Sequence, residues 1–204
     1  MSVPTWRWGE PLEPLEAVLA RGGVLAIPTE SSYGLAVDPR DQRGVDAVYR
    51  IKRRRKGLPL PVLIAGIGQL RMLGIERRSP AVAWAVGSWP GALTVVLPLA
   101  EPMPASAGQA TLAVRVPAHK QLQQLIADLG HPVTATSANL SGSPSIVDPA
   151  DLATICEGED VMIVDGGVLP GGPPSTLVHC GPKGLRIIRA GAVEPPPWTP
   201  EDEA

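Results

Sequence analysis

Apolar positions change their spacing repeatedly along this chain, and the changes mark out alternating helices and strands. Leu12, Leu15, Val18 and Leu19 recur at helical spacing, and Gly22-Gly23 closes that segment. Residues 24–27 are a continuous apolar run, short enough for a buried strand, and they lead into the polar stretch 28–34, which reads as a loop. Val45, Val48, Tyr49 and Lys52 mark a second helix, and residues 61–65 a second strand. Ser79-Pro80 predicts a helix start, with the serine as cap and the proline in the first turn, and Val82, Ala85, Val86 and Trp89 form its inner face. After a turn at Pro90-Gly91, strands are predicted at 93–97 and 111–116, with a loop at 103–109 between them. Leu122, Leu125, Ile126 and Leu129 give an amphipathic helix ended by Gly130. A strand at 132–136 runs into Ser137-Ala138-Asn139-Leu140-Ser141-Gly142, and Asp148-Pro149 opens a helix that runs through Cys156. Strands at 161–164, 175–179 and 185–189 complete the series, with a Gly/Pro loop at 171–174. Strands alternate with helices, yet some follow one another directly. That pattern predicts an α/β domain with a mixed sheet rather than a purely parallel one. From Glu194 the chain is Pro-rich and acidic, so residues 194–204 are expected to be disordered.

Composition changes this picture little. The 204 residues suit one domain with a sizeable core, and no repeat or composition break divides them. A formal net charge of −2 argues against nucleic-acid binding through the whole surface, but leaves room for a local basic patch. Cys156 and Cys180 fit no metal or redox spacing and suggest a reducing compartment. The N-terminus carries no apolar signal core, and Pro and Gly interrupt every long apolar run, so a cytoplasmic protein without a membrane span is expected.

Against that background the run Lys52-Arg53-Arg54-Arg55-Lys56-Gly57 stands out. It leaves a predicted helix and enters a loop, and Arg and Lys are the usual holders of phosphate or carboxylate. Taken alone it reads as a solvated charge run. Three polar loops, at 28–33, 137–145 and after Asp165, each follow a predicted strand, and strand ends are where ligands sit in open α/β sheets. Ser31, Ser137, Asn139, Ser141 and Ser145 offer neutral hydroxyl and amide groups, while Lys52, Arg54, Arg115 and Arg189 offer positive charge. Arg115 alternates with Val114 and Val116, so it lies either in a site or on an exposed strand face. Together these groups describe a pocket for a small anionic ligand. No Walker-type phosphate loop, dinucleotide fingerprint, zinc cluster or hydrolase elbow is present in the sequence. His119, His131 and His179 are scattered and read as structural.

Lys52-x-Arg54 followed by Pro59-Leu60, with Ser137-Ala138-Asn139, resembles the paired K-x-R and S-x-N signatures of the YrdC-like family of threonylcarbamoyl-AMP synthases. Further pieces agree in the family's order: residues 28–35 resemble P-T-E-T-x-Y-G-L, residues 89–94 W-P-G-P-L-T, and residues 113–119 V-R-x-P-x-H. Asp165-Gly166-Gly167, Ser175-Thr176 and Arg189-x-Gly191 close the series, so the resemblance covers roughly residues 12–193.

The resemblance implies one domain with a twisted, mixed parallel/antiparallel sheet and a deep cationic cavity. It implies formation of threonylcarbamoyl-AMP and pyrophosphate from L-threonine, bicarbonate and ATP, with Mg²⁺ accompanying the nucleotide and no protein side chain assigned to the metal. A tRNA threonylcarbamoyl transferase would be the downstream acceptor. Lys52, Arg54, Ser137 and Asn139 would form the catalytic set. ATP would lie on Lys52, Arg54, Leu58, Thr111, Ser137, Asn139, Ser145 and Arg189. Threonine would lie on Ser31, Leu63, Arg115, Ala135 and Ser175. Ser31 stands where the family has Thr, Arg55 where Pro is usual, and Leu63 where His is frequent. Longer members add a second C-terminal domain. A weak contact with double-stranded RNA is also expected, and two alternatives stay open: an RNA-binding module of the same fold, its basic run on phosphates with strong salt-dependent RNA affinity, and a carbamoyl-transfer domain of the hydrogenase-maturation type. The implied chemistry needs positioning and charge stabilisation on phosphate oxygens more than an acid–base pair.

Overall fold

In the computed structural model, which describes residues 3–181 and 183–198, the mixed strands form two sheets rather than one. The first has five strands in the order β1 (Thr5–Trp6), β9 (Val161–Val164), β2 (Val24–Pro28), β3 (Tyr33–Ala36) and β8 (Thr136–Ser137). Its first three strands are parallel and the remaining pairs antiparallel. The second has six strands in the order β11 (Gly184–Arg189), β10 (Thr176–Gly181), β5 (Leu93–Pro98), β6 (Thr111–Arg115), β4 (Val62–Leu63) and β7 (Val133–Thr134), with antiparallel and parallel pairs alternating. Together with five α-helices among the described residues they make an α/β domain of mixed sheets.

The strand predicted at 132–136 is where the two sheets meet. Its first half pairs with β4 and its second half with β3, so it is two short strands. Thr134, fully buried, accepts a hydrogen bond from the Val37 N–H at 3.1 Å, and its own N–H donates to the Val37 carbonyl at 2.8 Å. Ala135 donates to the Pro61 carbonyl at 2.8 Å. Apolar spacing records that a residue is buried, not which of two partners its backbone takes, so the split was invisible in the pattern.

Strand β2 explains its own unbroken apolar run. Leu25 and Ile27 pack with Leu15 and Val18 of α1 (Glu13–Ala20) and Leu122 and Leu125 of α4 (Lys120–Asp128). Val24 and Ala26 pack with Val45 and Val48 of α2 (Gln42–Ile51). A strand buried on both faces has no polar alternation to show. By contrast β6 keeps the alternation: Leu112 and Val114 are buried, while Thr111, Ala113 and Arg115 face the other way.

Several expectations need correction. The loop at 28–34 shrinks to a tight turn at 29–32, where Thr29 bonds Ser32 through both its N–H (3.1 Å) and its hydroxyl (2.7 Å). Tyr33 and Gly34 already belong to β3, and Tyr33 is fully buried because its hydroxyl donates to the Gly167 carbonyl at 2.9 Å and accepts from the Gly166 N–H at 3.0 Å. Ser79 does not cap α3 (Pro80–Val86) with its side chain, whose oxygen is buried without a partner; the helix also ends before Trp89. A 3-10 segment at Ile67–Leu73 and the short strand β1 had no clear periodic signal. The predicted helix from Asp148 is a 3-10 turn, Pro149–Leu152, continued by α5 (Ala153–Cys156). The tail expected to be disordered from residue 194 packs at Trp198, which is 7% exposed and meets Trp84 edge-on at 5.9 Å. The Trp84 indole N–H also donates to the Pro197 carbonyl at 2.9 Å. One large amphipathic ring outweighs the polar, Pro-rich composition around it. Residues 199–204 of that tail lie outside the described residues. Among the described residues no helix is long and apolar enough to cross a membrane.

Candidate functional site

The outward-facing residues of the six-stranded sheet form the floor of a cavity of about 790 Å³. Thr94 and Val96 come from β5, Ala113 and Arg115 from β6, and Leu177 and His179 from β10. Cross-strand register sets these side chains beside one another: Thr94 pairs with Leu177, and Val96 lies between Ala113 and His179. Loops make the walls. The turn at 29–32 stands on one side, and Ser137 and Ser145 follow β8; Arg54 and Pro59 lie beyond the end of α2, and Pro174 and Ser175 precede β10. Arg54, Arg115, Arg186 and Arg189 line the cavity, and no Asp or Glu does among the described residues.

Of the residues singled out from the sequence, the fold brings ten to this lining: Ser31, Arg54, Leu63, Thr111, Arg115, Ala135, Ser137, Ser145, Ser175 and Arg189. Arg115 therefore belongs to a site and not to an exposed strand face; its side chain is only 12% exposed. Its Nε donates to the Gly91 carbonyl at 2.7 Å, and its Nη2 donates to Glu30 Oε1. Arg189 takes neutral partners instead. Its guanidinium donates to the Ser175 carbonyl at 2.9 Å and to Ser175 Oγ at 3.2 Å, and that hydroxyl bonds Thr94 Oγ1 at 2.7 Å. Burial, and then the nearby Arg115 charge, lowers the Arg189 pKa.

Lys52, Asn139 and Leu58 do not line the cavity. Lys52 closes α2 and is 3% exposed, and its ammonium points inward at the other motif. It donates to the Ser137 carbonyl and Asn139 Oδ1, and more weakly to the Asn139 carbonyl at 3.3 Å. Ser137 Oγ donates to the same Asn139 Oδ1 at 3.0 Å, and the Ser141 N–H donates to the Lys52 carbonyl at 2.9 Å. The two short motifs are thus one hydrogen-bonded unit, with Lys52 inside it as a brace and Arg54 and Ser137 on its cavity face. Burial, and then the Arg54 charge, brings the Lys52 pKa down to about 8.

The basic loop is tied more firmly than its charges suggest. Tyr49 donates its hydroxyl to the Leu58 carbonyl at 2.6 Å, and Lys56 pairs with Asp46 at 3.0 Å. Leu58 is 45% exposed, so the apolar anchor is the fully buried Leu60. Arg53 sits at φ 46°, in the left-handed region, and is exposed outside the cavity lining. Behind the loop lies a smaller cavity of about 460 Å³, lined in part by Asp46, Tyr49 and Lys56.

Sequence reasoning missed Glu30, Thr94, His179 and Arg186 at the site. His119 and His131 do read as structural: His119 Nδ1 accepts the Leu122 N–H at 3.1 Å to cap α4, and His131 bonds the Pro132 carbonyl at 2.8 Å. His179 lies on the cavity floor instead, directly opposite Arg186 across the β10–β11 pair. Alternation within β10 was the available signal, since Ser175, Leu177 and His179 share one face. Glu30 carried no signal except its place in a motif.

The comparisons agree with the geometry. The Sua5/YciO/YrdC family model, described as telomere recombination, matches residues 17–191, and the chain belongs to this family. It is 37% identical over 180 residues to a threonylcarbamoyl-AMP synthase of Bacillus subtilis, covering 87% of this chain and 52% of that protein. It is 37% identical to a threonylcarbamoyl-AMP synthase of Thiobacillus denitrificans, covering 86% of this chain and 93% of that one. A solved structure of Pyrococcus abyssi Sua5 complexed with L-threonine superposes with a TM-score of 0.82 at 32% identity, over 94% of this chain and 58% of that one. The chain thus spans about half the length of the Bacillus and Pyrococcus relatives.

Proposed function

We propose that this member of the family makes threonylcarbamoyl-AMP, joining L-threonine, bicarbonate and ATP with release of pyrophosphate, for modification of tRNA. The observation that carries this reading is the cavity itself. Its volume of about 790 Å³ is in the range that holds a nucleotide-sized ligand, and its charged lining is cationic. The names of the relatives support the same product.

In this reading threonine sits on the Arg115 corner, with Ser31, Leu63, Ala135 and Ser175 around it, and ATP lies along Arg54, Thr111, Ser137, Ser145 and Arg189. The threonine amine and bicarbonate give a carbamate and water. A carbamate oxygen then attacks the α-phosphorus, and pyrophosphate leaves. Negative charge moves onto phosphate oxygens, so fixed cations beside them lower the barrier. Lys52 and Asn139 contribute by bracing the wall that carries Arg54 and Ser137. Mg²⁺ would enter with the nucleotide: among the described residues no three His, Cys, Asp or Glu groups cluster to hold it, which suits an ion held by triphosphate oxygens and water. It would supply further neutralisation of the departing pyrophosphate. A cytoplasmic location and a tRNA threonylcarbamoyl transferase as the consumer of the product follow from the same reading.

Pyrophosphate release measured with threonine and bicarbonate, with carbamoyl phosphate, and with no acceptor tests it. Release that depends on threonine and bicarbonate is expected. Turnover with carbamoyl phosphate alone would favour the carbamoyl-transfer alternative. Salt-dependent RNA binding without any turnover would favour the RNA-binding one.

A further inference from the structure

We infer that Glu30 is a positioning residue for threonine: with the Gly91 carbonyl it fills one edge of the Arg115 guanidinium and leaves the other edge for the substrate's α-carboxylate. This rests on the reading of the cavity proposed above.

A guanidinium presents two forks of parallel donors, a side-on fork of Nε with Nη2 and an end-on fork of Nη1 with Nη2. In Arg115 the side-on fork is closed. Nε donates to the Gly91 carbonyl at 2.7 Å and Nη2 to Glu30 Oε1. These are the hydrogen bonds of Arg115 among the described residues, so Nη1 carries none and the end of the guanidinium it shares with Nη2 can take a further acceptor. Arg115 lines the cavity, and a carboxylate received there makes two parallel bonds to a side chain that no longer rotates.

Both acceptors are themselves held. Glu30 Oε1 also accepts the Ala118 N–H, so it is fixed by β6's own extension as well as by the arginine. Gly91 donates its N–H to the Val116 carbonyl at 3.0 Å, and a Cβ at Gly91 would lie 2.3 Å from the Ser88 carbonyl oxygen, so the turn admits only glycine. Glu30 and Gly91, from the motifs Pro28-Thr29-Glu30-Ser31 and Trp89-Pro90-Gly91, therefore meet at one side chain. Glu30 Oε2 is buried without a partner. A buried carboxylate oxygen lacking a donor is unfavourable. Glu30 both pairs with Arg115 and orients it, and the two roles separate in threonine affinity rather than in stability.

The test compares E30A, E30Q and E30D with the wild-type protein by threonine calorimetry and by pyrophosphate-release kinetics. Glutamine can keep an acceptor oxygen where Oε1 sits, while aspartate keeps the charge and withdraws the oxygen by one methylene. Threonine KM is expected to rise about 10- to 100-fold in E30A and E30D, a size typical of a misplaced reactant, with ATP KM within about twofold of wild type. E30Q should recover most of the lost threonine affinity. Unchanged threonine affinity in E30A, or in E30D should E30A not fold, would overturn the inference. So would an E30Q as impaired as E30D. Wild-type protein that binds no threonine would sink the proposed function itself, a result distinct from variants that match a threonine-binding wild type.

Discussion

Two parts of one cavity treat positive charge in opposite ways. At the Arg115 corner the cation has a carboxylate, Glu30, as a built-in partner. Elsewhere in the lining Arg189 meets only neutral oxygens, as does Lys52 behind the wall that carries Arg54, and Arg54 has no ion pair among the described residues. A cation already paired is fixed in direction and is suited to reading the shape of a ligand. An unpaired cation in a poorly hydrated place lacks counter-charge, and an arriving polyphosphate supplies it. Burial, and then a neighbouring cation, lowers the pKa of both Lys52 and Arg189. In the proposed reaction the first corner selects the amino acid and the second wall stabilises moving phosphate charge.

The strongest way to break this contrast is Arg54→Ala. Loss of a charge-assisted donor at the phosphate wall should cost about 2–4 kcal/mol in kcat/KM for ATP, whereas Arg53→Ala, outside the lining, should cost less than about 0.5 kcal/mol. Equal losses in steady-state kinetics of the two variants would remove the distinction between cavity and surface.

Lys52→Met sharpens the contrast from inside the wall. It leaves the Ser137 carbonyl and the Asn139 carbonyl without their buried donor, and it should lower stability by about 1–3 kcal/mol in urea unfolding while also reducing turnover. The pH dependence separates Lys52's two roles. The folded pKa, about 8, lies below the ordinary 10.5. In the window between them the unfolded chain holds a proton that the folded chain has lost, so the Lys52 contribution to stability rises with pH there and is lost as pH falls through about 8. Activity should move the other way, falling above about pH 8 as the ammonium that braces Ser137 and Asn139 is discharged. Activity and stability of the wild type that rise together across this window, with Lys52→Met showing the same profile, would show that the brace does not depend on charge.

The selective corner makes a smaller demand. Serine lacks one methyl of threonine, which is worth about 1–3 kcal/mol at most, so serine should be a weak substrate in the same assay. Equal turnover of the two amino acids would mean that Leu63 and Ala135 do not read the methyl group. The smallest effect concerns the basic loop. The Lys56–Asp46 pair is exposed on the lysine side, so Lys56→Ala should change stability by less than about 1 kcal/mol. Amide exchange across residues 53–58 should nevertheless quicken in that variant, and should slow in the wild type when ATP, Mg²⁺ and threonine are added. Exchange that ignores both changes would leave the loop as a rigid rim.

Local chemistry was legible in the sequence because short-range patterns set it. The continuous run at 24–27 read as a buried strand, and the fold buries it on both faces; the alternation Val114-Arg115-Val116 turned Arg115 away from the core. The order of motifs carried the family and ten of the lining residues. What the sequence could not hold was pairing between distant segments. Nothing local in 132–136 says that Thr134 bonds Val37 and Ala135 bonds Pro61, so the split into two sheets waited for the fold. Nor does a K-x-R motif say which of its cations turns inward. Only the tertiary structure brings Ser137 and Asn139 around the Lys52 ammonium and Glu30 against Arg115, because hydrogen bonds and ion pairs act over a few ångströms between residues 85 or more positions apart.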